Sequence, residues 1–122
     1  MRHLEDQLHK QVANLLFQLE GLGKFGKNGF FTYFPAGEKR NAITGSLLKA
    51  KGTRKGVPDF MIILRDIEIT SFLWIECKTL KGKQTTEQKE FEHKTTNQIN
   101  ENYIVIRSLE ELMDYLHKIK LL

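Results

Sequence analysis

The chain has 122 residues, 40% hydrophobic and 28% charged, a balance that supports one folded domain over residues 1 to 122 and excludes a disordered tail. Its single cysteine, Cys77, rules out an intrachain disulfide and a zinc site built from several cysteines, and it suits a reducing cytoplasm. The net charge of +4 is uneven: residues 1 to 57 hold 10 Lys and Arg against 4 Asp and Glu, the remainder 9 against 11.

Leu4, Leu8, Val12, Leu15, Leu16 and Leu19 recur at helical spacing, which predicts an amphipathic helix over residues 3–20 that ends in the glycines of GLGKFGKNG. The charges of MRHLEDQLHK interrupt any secretory signal, and no later stretch has the length to span a bilayer, so membrane insertion is not expected. FFTYF, residues 30–34, is aromatic and β-favouring and predicts a first strand. Residues 36–57 contain Gly37, Gly45, Gly52 and Gly56, with no sustained periodicity beyond a short turn near Ser46 to Ala50, and read as a long surface loop. Within it Lys39, Arg40, Lys49, Lys51, Arg54 and Lys55 stand in a window without one acidic side chain. Such a run attracts phosphate, although a solvated loop has the same composition.

DFMIIL, residues 59–64, and FLWIEC, residues 72–77, are apolar runs of strand length joined by the polar bend RDIEIT, and they predict an antiparallel pair. Residues 85–98 predict a largely exposed helix with Phe91 as its apolar anchor, and YIVIR, residues 103–107, a short strand. In the last helix Leu109, Leu112, Met113, Leu116 and Ile119 keep helical spacing, with Ser108 as N-cap and Glu111 completing a capping box. The expected class is therefore α/β, a central mixed sheet of about four strands flanked by helices, in the order α-β-β-β-α-β-α. The fourth strand reaches the third in parallel through a right-handed crossover helix.

Glu76 and Lys78 are two apart in a strand, so both project from one face while Cys77 points into the core. Asp59 follows Pro58, which donates no ladder hydrogen bond and suits the first position of a strand. Antiparallel pairing would set Asp59 beside Glu76. Two converging carboxylates repel unless a positive charge sits between them. Magnesium meets that need, because it takes hard oxygen ligands and requires only one or two protein carboxylates beside substrate phosphate. Such an ion lowers the pKa of a bound water and neutralises charge on a scissile phosphate; Lys78 is placed to orient that water or to stabilise the transition state. The tripeptide Glu-x-Lys also occurs at Glu87 with Lys89 and at Glu92 with Lys94, but there it falls in a polar helix, where side chains two apart share no face.

Gly56, Val57, Pro58 and Asp59, then Ile75, Glu76, Cys77 and Lys78, then Gln88, with Glu5 in the first helix, stand in an order and spacing that resemble a stand-alone VRR-NUC domain of the PD-(D/E)XK nuclease superfamily. The resemblance covers most of the chain. It implies a restriction-endonuclease-like core and a magnesium- or manganese-dependent deoxyribonuclease. In such an enzyme Asp59, Glu76 and the Cys77 backbone carbonyl would hold the ion, and Lys78 would handle the attacking water. It further implies that Glu5 reaches the ion through a water and that Gln88 steadies the lysine or the nucleophile. Thr85 and Thr86 replace a Ser-Pro pair frequent in the family, which leaves the start of that helix open. Proteins of this kind act on branched DNA, including four-way (Holliday) junctions, and pair as homodimers. The competing classes are a non-catalytic nucleic-acid-binding module and a restriction-type endonuclease with sequence preference.

Other signals are discounted. The glycines of GLGKFGKNG lack the spacing and the preceding strand of a phosphate loop and read as a flexible turn. His3, His9, His93 and His117 form no local ligand pair and read as surface or satisfied histidines, Trp74 reads as core, and Cys77 lacks the partner a thiol nucleophile requires.

Overall fold

The computed structural model describes residues 2–35 and 42–122. Its elements are α1 (Arg2–Gly21), β1 (Phe30–Tyr33), α2 (Ala42–Ala50), β2 (Phe60–Arg65), β3 (Thr70–Cys77), α3 (Thr86–Thr96), β4 (Glu101–Ile106) and α4 (Leu109–Lys118). The sheet runs in sequence order, β1-β2-β3-β4, with the first three strands antiparallel and β4 parallel to β3. Parallel pairing needs a crossover, and α3 supplies it. This is the expected α/β class with a mixed four-stranded sheet. One element departs from expectation: α2 stands where a loop was predicted. Ile43, Leu47 and Leu48 do follow helical spacing, but the basic residues and Gly45 mask so short a period.

Strand alternation divides the sheet into two faces. Leu73, Ile75 and Cys77 of β3 and Phe60 and Ile62 of β2 join Leu8, Val12, Leu16 and Leu19 of α1, and Leu112 and Leu116 of α4, in the main core. The opposite face of β3 carries Trp74, which packs edge-on against Phe91 of α3 and tilts against Phe34. Trp74 is thus only half-buried, and its indole N–H donates to Glu101 Oε1 at 3.0 Å. A polar ring atom needs such a partner when it leaves water. No described helix is long and apolar enough to cross a membrane.

The glycine-rich turn after α1 is a packing device. Phe25 within it is buried in the core, and its carbonyl accepts the Arg65 N–H at 2.8 Å. Gly26, at φ +86°, passes so close that a Cβ would stand 1.7 Å from the Arg65 carbonyl oxygen. At the other end of the chain Ser108 caps α4 by accepting the Glu111 N–H at 3.2 Å, but the box expected there is only half made. The Glu111 carboxylate takes the Arg107 N–H, one residue before the cap. Arg107 itself reaches back with Nη1 to the carbonyls of Thr79 and Gly82, at 2.5 and 2.6 Å, and so holds the segment that follows β3.

Gly26→Ala combines a left-handed backbone with a backbone collision and should cost about 2 kcal/mol or more. A urea midpoint unchanged from wild type would show that the turn does not bear on the sheet in this way.

Candidate functional site

The pairing of Phe60 with Ile75 sets Asp59 next to Glu76 at the point where the β2–β3 ladder ends. There the Asp59 side chain takes over from the backbone: Oδ2 accepts the Cys77 N–H at 2.8 Å, while the Asp59 carbonyl accepts the Phe34 N–H at 2.7 Å. Asp59 is therefore tied to both neighbouring strands, and it is 8% exposed. Glu76, at 2% exposure, is deeper still. Its Oε2 accepts from Gln88 Nε2 at 3.0 Å and lies 3.6 Å from Lys78 Nζ, which shares its face of β3. Its Oε1 is buried with no hydrogen-bond partner among the described residues.

An ionised glutamate in that position is costly. Burial and the Asp59 charge push the Glu76 carboxyl up to about 8, against the opposing pull of Lys78. One amine does not offset two acids out of water. The missing charge and the orphaned Oε1 describe what a hard divalent cation provides, and the donors on offer are the carboxylate oxygens such an ion prefers. Asp59 and Glu76 thus offer oxygen donors of the kind a hard cation takes.

Gln88 reaches the site because of how α3 begins. Thr85 Oγ1 accepts the Gln88 N–H at 3.1 Å and Gln88 Oε1 accepts the Thr85 N–H at 2.8 Å, a complete capping box. Thr85 therefore does what the absent Ser-Pro pair left open. With its oxygen held by the cap, the Gln88 amide has only its nitrogen to offer, and this donates to Glu76 and not to Lys78. Gly56 lets the chain approach: at φ +84°, a Cβ there would lie 2.5 Å from the Glu87 carbonyl and 2.8 Å from the Gln88 nitrogen. No other residue type brings the Gly56-Val57-Pro58-Asp59 run so close to the start of α3.

From the other side, α1 presents Glu5 and His9. Glu5 is more exposed than the site acids and stands 4.0 Å from His9 Nε2, which in turn lies 3.4 Å from Asp59 Oδ1. The imidazole thus comes between Glu5 and Asp59. His9, read in the sequence as a surface or satisfied histidine, is the residue of this cluster that the spacing did not single out. It sits one turn from Glu5 and directly after the buried Leu8, a spacing that brings both side chains to one flank of the helix. Burial works to lower the His9 pKa, but the carboxylates of Asp59, Glu5 and Asp6 outweigh it and the net shift is upward. Cys77 meets the site through its backbone N–H. Burial, together with the charges of Asp59, Glu76 and Glu5, holds its thiol far above the usual range and so in the protonated form. Of the basic residues, Lys49 closes α2 and Lys51, Arg54 and Lys55 follow it, all exposed; Lys39 and Arg40 lie outside the described residues.

No family model, curated protein or solved structure matches the chain.

The electrostatics fix a pH dependence. The folded protein holds the Glu76 proton up to about 8, whereas an unperturbed glutamate releases it near 4.5. The native state then carries more protons across that interval, so stability of the metal-free protein falls as pH rises, by at most about 1.4 kcal/mol per unit. The raised His9 acts with the same sign at higher pH, its contribution being complete below 6.5 and lost as pH rises through its folded value. In chelator, urea midpoints should decline from about pH 5 to 8, and Glu76→Gln should remove most of the decline. A midpoint that climbs over this range would contradict the buried, proton-holding glutamate.

Proposed function

We propose that the chain is a divalent-metal-dependent deoxyribonuclease of the VRR-NUC type that hydrolyses phosphodiester bonds in branched DNA, four-way junctions among them. The observation that carries the reading is Glu76: a carboxylate almost wholly out of water, one oxygen without a partner among the described residues, beside Asp59 and 3.6 Å from the Lys78 amine. A structural acid in that position would be fully hydrogen-bonded or replaced by an apolar residue. Asp59 and Glu76 are the side chains to hold magnesium or manganese, which when bound supplies Lewis acidity toward the phosphate. Lys78 sits where its ammonium can orient an attacking water or meet negative charge gathering on the phosphate oxygens. Gln88 is a positioning residue that fixes the rotamer of Glu76. Glu5 acts through His9 and the field of the site.

Lys49, Lys51, Arg54 and Lys55 supply phosphate contacts on the α2 side, where binding would follow backbone shape more than base identity. The described residues hold no added recognition module, which favours branch geometry as the substrate feature. Two such sites in a homodimer would cut both strands. The buried free thiol of Cys77 accords with a reducing cytoplasm.

The test uses labelled four-way junctions and linear duplexes, incubated with magnesium or with chelator. Wild type should cut the junction only with the metal, and Asp59→Asn, Glu76→Gln and Lys78→Ala should each lose about a hundredfold or more in rate. Cleavage by Lys78→Ala at the wild-type rate would remove the proposed site. Metal-independent binding without any cutting would reassign the chain as a binding module, and preferred cutting of one linear sequence would make it a restriction-type enzyme.

The basic segment has its own measurement. Replacing Lys51, Arg54 and Lys55 together by alanine should weaken DNA binding evenly across sequences and flatten the dependence of log affinity on log salt by roughly 0.9 for each phosphate no longer neutralised. An unchanged slope would mean that these side chains only solvate the loop.

A further inference from the structure

On the α1 side of the sheet a second group of ligating atoms converges on Asp59. A ring nitrogen of His9, a carboxylate oxygen of Asp59 and Sγ of Cys77 all lie within 4.8 Å of one another. The carboxylate is already oriented, because the Cys77 N–H holds Oδ2 and turns Oδ1 toward His9. His9 Nε2 is buried and has no hydrogen-bond partner among the described residues. A cavity of about 400 Å³ lined by Asp6, His9, Lys10, Ala13, Tyr33 and Phe60 opens beside the imidazole. These donors differ from the all-oxygen set at Glu76. Imidazole and thiolate select a borderline-soft ion over magnesium, and the three atoms lie close enough together to surround one ion.

We infer that His9, Asp59 and Cys77 form a Zn2+ site separate in chemistry from the magnesium site but sharing Asp59 with it. On binding, the Cys77 S–H bond breaks, its proton leaves to water, and the sulfur electron pair forms the S–Zn bond; His9 enters as neutral imidazole. The inferred site stands whether or not the chain is a nuclease. If the nuclease reading holds, one consequence rests on it: Zn2+ here withdraws Asp59 and inhibits cleavage.

Cobalt(II) is the probe. Titrated into the metal-free full chain, it should give tetrahedral visible bands and a near-ultraviolet sulfur-to-cobalt charge-transfer band, displaced by Zn2+ but not by excess Mg2+. Cys77→Ser should abolish the charge-transfer band, and His9→Gln should weaken cobalt affinity about tenfold or more. Because Cys77 is the sole cysteine, the wild-type spectrum decides the matter even if the serine variant fails to fold. Cobalt bound without the charge-transfer band, or not bound at all, overturns the inference. A charge-transfer band in a protein that never cuts DNA upholds this site and refutes the nuclease, whereas magnesium-dependent cutting without the band does the reverse.

Discussion

At the end of the β2–β3 ladder, where a backbone carbonyl would ordinarily accept the next N–H, the Asp59 carboxylate accepts it from Cys77. That substitution places a charge in the interior and fixes it to the strand that carries Glu76 and Lys78. The surrounding elements must accommodate two acids drawn together away from water, with a single lysine on the same strand. From α3 the capped Gln88 steadies one oxygen of Glu76, and from α1 His9 approaches the free oxygen of Asp59. Neither supplies a full permanent charge. In the bare protein this electrostatic liability is relieved by Glu76 holding its proton.

The scaffold confines that liability to one end of the sheet. Arg107 secures the chain just beyond Lys78, Gly56 brings the approach to Asp59 against α3, and Phe25 and Gly26 seal the far end of β2. Residues near the acids therefore have little freedom to collapse together or to swing into solvent.

Much of this was legible in the residues. Period-two and period-3.6 patterns are local properties, so the four strands, the long first helix and the final helix could be read directly, and two-residue spacing put Glu76 and Lys78 on one face. Asp59 beside Glu76 followed from antiparallel pairing around a short polar bend. The features that were not legible depend on distance along the chain. His9 acquires meaning only when α1 packs over Asp59, fifty positions later, and Gly56 only when α3 folds back upon it. The half-formed box at Ser108 could not be foreseen because the Glu111 carboxylate can take either of two nearby N–H groups, and it takes that of Arg107. The helix α2 was hidden by its brevity, in a basic segment whose composition reads as loop.

Asp59 is also where the two faces of the sheet meet, so the proposed and the inferred cation sites would both draw on it. Toward α3 the neighbouring donors are the oxygens of Glu76; toward α1 they are the imidazole of His9 and the sulfur of Cys77. One carboxylate cannot complete both sets at once, since Oδ2 is committed to the Cys77 N–H and Oδ1 lies toward His9. If both the proposed and the inferred sites hold, hard and borderline-soft ions compete through one shared ligand, with the outcome set by availability as well as by intrinsic affinity. The alternation of a β-strand is enough to produce the arrangement: consecutive residues Glu76 and Cys77 must face opposite sides, and an acid at the strand's end is within reach of each.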